Sequence, residues 1–294
     1  MSHKKDGPIP SSIKNDVHKS GPAMALRDLR NLFETVKDEC AGEERPQTAN
    51  VAIYYDESCS PALRSYAEEA LDPLARTIYM HAETFSAEHC EVDPTADLTI
   101  IFAGDSPWVG ATAAFSKMHG VPTVVVTEDL ATSYAGTEAT GFALEAADFV
   151  SFELAEMEIS FAERLWCDYV DKHFETTPLS GYDLLFSVLG SWIVEHVDRT
   201  LFVLAAAFPF IRRPLAHSLC MACAYQNAVV AAAVFLPGAD MPLMLANQMR
   251  MVFQISNAYG RDITQDVVVE LMLVGSIGAS EFDWRSGGPI ISTN

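Results

Sequence analysis

Apolar positions follow two different periods along the chain, and the change of period marks a change of architecture. Leu26, Leu29, Leu32, Phe33 and Val36 recur at helical spacing, which predicts an amphipathic helix and its linker over residues 23–48. Residues 1–22 before it are polar, with Gly, Pro and Ser, and are expected to be a disordered tail. From Asn50 short apolar runs take over. Val51-Ala52-Ile53-Tyr54-Tyr55, Leu98-Thr99-Ile100-Ile101-Phe102 and Thr123-Val124-Val125-Val126 predict strands, and residues 77–80 a further one. Between them Ser60-Pro61 marks a helix start, with Ser60 as cap and Pro61 in the first turn, and the helix runs to Leu71. A second helix of small residues covers 109–119. Apolar strands alternating with helices predict a small parallel sheet, Rossmann-like or flavodoxin-like, over residues 49–150.

The helical period then returns. Phe161, Leu165, Trp166, Tyr169 and Val170 predict an acidic helical linker over 151–180, followed by a helical domain over 181–280 and a tail over 281–294. Its helices are expected at 182–196, with Ser180 as cap, at 201–211, and at 262–278 with Ile263, Val267, Leu271 and Val274 on one face. Between the last two lies an unusual stretch, residues 214–260. Between Arg213 and Arg250 the only formally charged side chain is Asp240. Asp240 sits in a breaker cluster, Pro237-Gly238-Ala239-Asp240-Met241-Pro242, flanked by apolar arms over 228–236 and 241–246. A turn there brings the amides Gln226-Asn227 level with Asn247-Gln248, so the pattern predicts an Ala-rich apolar hairpin latched by amide pairs. Arg212, Arg213 and Arg250 flank both ends on one side, which the positive-inside rule makes cytoplasmic. A simple spanning helix needs about 20 apolar residues. The nine and six residues of the arms fall short, so the hairpin is expected either to re-enter or barely span, or to be buried in a soluble helical bundle or a dimer interface.

The segments Gln226-Asn227-Ala228-Val229-Val230, Pro237-Gly238-Ala239-Asp240-Met241-Pro242, Asn247-Gln248-Met249-Arg250-Met251-Val252 and Ala258-Tyr259-Gly260 occur in that order. In order and spacing they resemble the helical domain of unknown function of YcjF-type bacterial membrane proteins, over about residues 190–278. Related domains are attached to some Era-like GTPases. The resemblance implies membrane association, with a homo-oligomer or a GTPase as protein partner. Glu281-Phe282-Asp283-Trp284 departs from the glycine-rich apolar continuation of that family.

Charge narrows the function classes. The net charge is −21, and residues 128–175 hold twelve acids against two bases, so phosphate backbones are repelled and nucleic acid is not an expected partner. Residues 1–20 lack the apolar core of a secretory signal, and the scattered cysteines fit a reduced compartment without a disulfide framework. Catalytic motifs are not found. The turn Ala103-Gly104-Asp105-Ser106-Pro107 offers one Gly, an acid and a missing donor at Pro107, and no GxxxxGK[ST] occurs, so a phosphate cradle is not expected. Asp56 and Asp105 end strands, where α/β ligand sites lie, and a divalent cation between them is an alternative to helix capping. His217, Cys220 and Cys223 share a helix face but supply three ligands where zinc takes four.

The expectation is therefore an α/β domain followed by an all-α domain. It is a non-enzymatic protein on the cytoplasmic side of the cell membrane, anchored or assembled through the hairpin, with no cofactor. The site residues of that expectation are structural: Gln226, Asn227, Pro237, Gly238, Asp240, Pro242, Asn247, Gln248, Tyr259 and Gly260. The alternative is a soluble cytoplasmic nucleotide- or small-ligand-binding regulator that dimerises through its helical domain.

Overall fold

The computed structural model describes residues 26–41, 46–85, 91–142, 144–154, 179, 181–233, 241–261, 282–283 and 288–289. They fall into two compact units. One is Glu44–Ser218 with Asn257–Gly260; the other is drawn from Met1–Glu43, Leu219–Ser256 and Arg261–Asn294.

The first unit is built on a five-stranded parallel sheet of order β2-β1-β3-β4-β5, the flavodoxin-like order of a doubly wound α/β fold. The strands are β1 Ala49–Asp56, β2 Ile78–Phe85, β3 Leu98–Ala103, β4 Thr123–Thr127 and β5 Phe149–Val150. Every residue of β3 and β4 is buried, as expected of central parallel strands covered on both faces. On one face Ala52, Tyr54, Ile101 and Val125 pack with Val109 and Ala113 of α3 (Trp108–Met118). On the other, Tyr55 and Phe102 stack at 5.2 Å between ring centres. Phe186 of α5 (Tyr182–His196) lies 6.1 Å above Phe102, so α5 closes that face.

The predicted α/β-plus-helical class is the observed one, with local differences that have physical causes. β2 runs five residues past the predicted strand end, pairing with β1 along all eight positions. As an edge strand it is exposed at Tyr79–Ala82 and at Thr84, so the continuation carries little apolar signal. Helix α4 (Leu130–Ala139) was not anticipated; Asp129 caps it, its Oδ1 accepting from Thr132 N at 3.0 Å. Those bonds hold the Asp129 carboxyl below its usual range. Helix α2 (Pro61–Ala70) has the predicted cap, Ser60 Oγ accepting from Leu63 N at 3.1 Å. Helix α5 is capped by Gly181, and Ser180 lies outside the described residues.

The predicted helix over 201–211 is two helices, α6 (Leu201–Ala207) and α7 (Pro209–Ala233). Pro209 excludes the helical conformation at the residue before it, and Phe208 is extended at φ −113° and ψ 107°. Pro209 then opens α7, where its missing N–H costs nothing. Pro214, one turn into α7, cannot donate to the Phe210 carbonyl. A Cβ on Gly190 of α5 would stand 2.7 Å from that same oxygen, so glycine is what admits this close helix approach.

In the second unit, Phe33 and Val36 of α1 (Leu26–Ala41) are buried with Met249 and Phe253 of α8 (Met241–Ala258). The Phe33 and Phe253 rings lie 5.1 Å apart, and Arg250 pairs with Glu39 at 2.7 Å. The hairpin's tip, with Pro237, Gly238 and Asp240, lies outside the described residues, as do the acidic linker helix and the predicted helix over 262–278. No helix among the described residues is long and apolar enough to cross a membrane.

Candidate functional site

In a flavodoxin-like sheet the ligand position is the crevice beyond the carboxyl ends of β1 and β3, where the strand order reverses. Here that crest is built around Asp56, the last residue of β1, 3% exposed. Its Oδ2 accepts from Gly104 N at 3.0 Å, from Ser106 N at 3.3 Å and from Ser58 Oγ at 2.5 Å. Ser58 Oγ in turn accepts from Asp105 N at 2.9 Å. The β4 end joins the same network: Ser133 donates to the Gly104 carbonyl at 2.7 Å and shares a 2.7 Å bond with Thr127. A Cβ at Gly104 would collide with the Ser58 backbone and hydroxyl, which fixes glycine at that position.

Chemically, the backbone donors that would face a phosphate are already spent on the Asp56 carboxylate, an internal anion. Further acids ring the crest. Glu128, beyond β4, accepts from the Tyr182 hydroxyl at 2.5 Å, and Asp105 is exposed at the rim. Cys59 sits beneath them. Burial, and then the neighbouring Asp56 and Glu128 charges, push its thiol up to about 11, so it is a protonated packing group near neutral pH. Of the two strand-end acids singled out from sequence, Asp56 is therefore a lock between loops, while Asp105 contributes its backbone N–H. No group of three or more His, Cys, Asp or Glu among the described residues is placed to hold a metal ion.

The helical candidates separate in the same way. Burial raises the Cys220 and Cys223 thiols, and Cys223 accepts from the Asn227 amide at 3.7 Å. The amide latch falls on the asparagines: Asn247 Nδ2 donates to Asn227 Oδ1 at 3.0 Å, whereas Gln226 and Gln248 are exposed. In a double-mutant cycle Asn227→Leu and Asn247→Leu should couple by about 1 kcal/mol in urea denaturation, since the double change leaves no stranded amide. The Gln226/Gln248 pair should be additive. Pro242 lies in the first turn of α8 and is half-buried. Tyr259 is stacked by the Arg212 guanidinium, 5.3 Å from its ring centre, and Gly260 adopts φ 63° where the helix ends.

A feature without a sequence-level signal lies on α7. Met221, Tyr225 and Val229, spaced four residues apart on one helix face, are 55%, 75% and 52% exposed. Their apolar character was visible; that this face stays uncovered was not. Compared with known proteins, the chain matches no family model, no curated protein and no solved structure.

Proposed function

We propose that the chain is a non-catalytic, membrane-associated assembly protein whose helical unit holds the α/β unit at a bilayer surface. The observation that carries this is the exposed row Met221-Tyr225-Val229 on a stretch without formal charge from Pro214 to Ala233. Adjacent exposed apolar side chains mark a contact surface, and an interfacial helix needs such a face rather than the length to span. The likeness of the segments around Asn227, Asn247 and Tyr259-Gly260 to YcjF-type helical domains points the same way. The occupied crest at Asp56 speaks against a nucleotide function, since an anion there would have to displace an internal carboxylate.

One observation favours dimerisation through the helical unit as the second reading. Arg212 donates to the Ala205 and Ala206 carbonyls and Arg250 pairs with Glu39, so two of the flanking cations are engaged within the protein. With a net charge of −21, anionic lipid adds repulsion.

Flotation of the full chain with zwitterionic vesicles tests the proposal. The protein should rise with the lipid. Met221→Asp with Val229→Asp, both at exposed positions, should lower the partition constant about thirtyfold, on the basis of roughly 1 kcal/mol of apolar burial lost per site. A chain that stays at the bottom of the gradient without vesicle dependence contradicts anchoring.

A further inference from the structure

A cleft of the α/β unit lies away from the crest. It has a volume of about 610 Å³ and is lined by α2, α5 and the start of α7, with Tyr66, Glu69, Asp72, Asp183, Phe186 and Phe210 among its walls. We propose that this cleft binds a linear aliphatic polyamine. The inference is independent of the anchoring proposal, because every residue it uses lies within Glu44–Ser218.

Three properties of the cleft select that chemistry. First, it has aromatic walls: Tyr66 and Phe210 are half-buried and present ring surface, each packed on the buried Phe186 ring, at 5.0 and 5.3 Å between ring centres. Such walls accept methylene segments, and aromatic rings attract ammonium groups.

Second, carboxylates stand on both sides. Glu69 and Asp72 are three positions apart at the carboxyl end of α2, and Asp183 faces the cleft from α5, accepting from the Tyr66 hydroxyl at 2.5 Å. Arg213 is the lining's one basic residue, so three negative groups face one positive and the sign stays negative. Burial and the Asp183 hydrogen bond push the Tyr66 phenol up to about 12, so this ring stays a neutral donor.

Third, the carboxyl end of a helix carries partial negative charge and favours cations, yet the last turn of α2 contains no basic residue. Glu69 and Asp72 deepen the negative potential where a cation would ordinarily compensate it. Cationic groups separated by three or four methylenes meet these demands together: ammoniums at the carboxylates, hydrocarbon on the rings. An anion is rejected by sign, and a wholly apolar ligand would desolvate three carboxylates without return.

Calorimetric titration of the full chain with spermidine at physiological salt provides the test. The expected result is one saturable site. Glu69→Gln with Asp183→Asn keeps a hydrogen-bond acceptor for Tyr66 and should weaken that site about tenfold, or roughly 1.4 kcal/mol. Glu138→Gln with Glu195→Gln makes the same charge change away from the cleft and should leave the affinity within about twofold, since remote exposed charges are screened. Absence of a saturable isotherm overturns the proposal. So does an equal loss in both double variants, which would mean that spermidine only condenses on an acidic surface.

Discussion

Replacing Phe186 by alanine is expected to destabilise the α/β unit by about 4 kcal/mol, the middle of the range for deleting a fully buried aromatic side chain. Phe186 is 1% exposed and lies between three other rings: Phe102 of β3, Tyr66 of α2 and Phe210 of α7. Its removal costs the transfer energy of the ring, the cavity left behind and the edge and stacking contacts of its neighbours. Phe186→Leu fills part of that volume and should cost roughly half as much. Urea denaturation followed by far-ultraviolet circular dichroism reads both values. A loss below about 1 kcal/mol for the alanine variant would mean that α5 is not fixed on the sheet through this ring.

Asp56→Ala should cost about 3 kcal/mol, because it strands the Gly104 and Ser106 N–H groups and the Ser58 hydroxyl in a partly buried crest. Asp56→Asn presents a neutral oxygen to the same donors and should recover about half of that loss, since hydrogen bonds to charged acceptors are the stronger ones. The same pair of variants bears on function. If Asp56 is a lock between loops, neither variant gains a nucleotide site, because Asp105, Glu128 and Asp129 remain around the crest. A thermal shift with a nucleoside triphosphate in Asp56→Asn but not in the parent chain would show that Asp56 is a plug rather than a lock.

How much of this was legible in the sequence depended on where each element sits. Strands β3 and β4 are buried on both faces and so appear as unbroken apolar runs. Strand β2 exposes Tyr79 and Met80 at the sheet edge, and only its beginning carried a signal. Helix α4, with the sequence LATSYAGTEA, has too little contrast between faces to show a period, and its cap Asp129 was the one cue. The division after Phe208 was readable from Pro209 alone, but the apolar run over 201–211 masked it. In the site, Asp56 stood out as a strand-end acid. Its partners Gly104 and Ser106 lie 48 and 50 positions away, so no local pattern could reveal the network. The Tyr66–Asp183 bond spans 117 positions. The Asn227–Asn247 contact, by contrast, could be placed by counting outward from a turn between two helices.

The proposed contact surface on α7 is addressed most directly by photo-crosslinking from benzoylphenylalanine introduced at Tyr225, the most exposed member of the apolar row at 75%. Tyr79, 66% exposed on the edge strand of the α/β unit, serves as the comparison position. On irradiation in native membranes, the predicted result is a lipid adduct at position 225 and none at position 79. Adducts at position 225 that join two copies of the chain, or no adduct at all, with lipid absent in either case, would contradict membrane anchoring through this face.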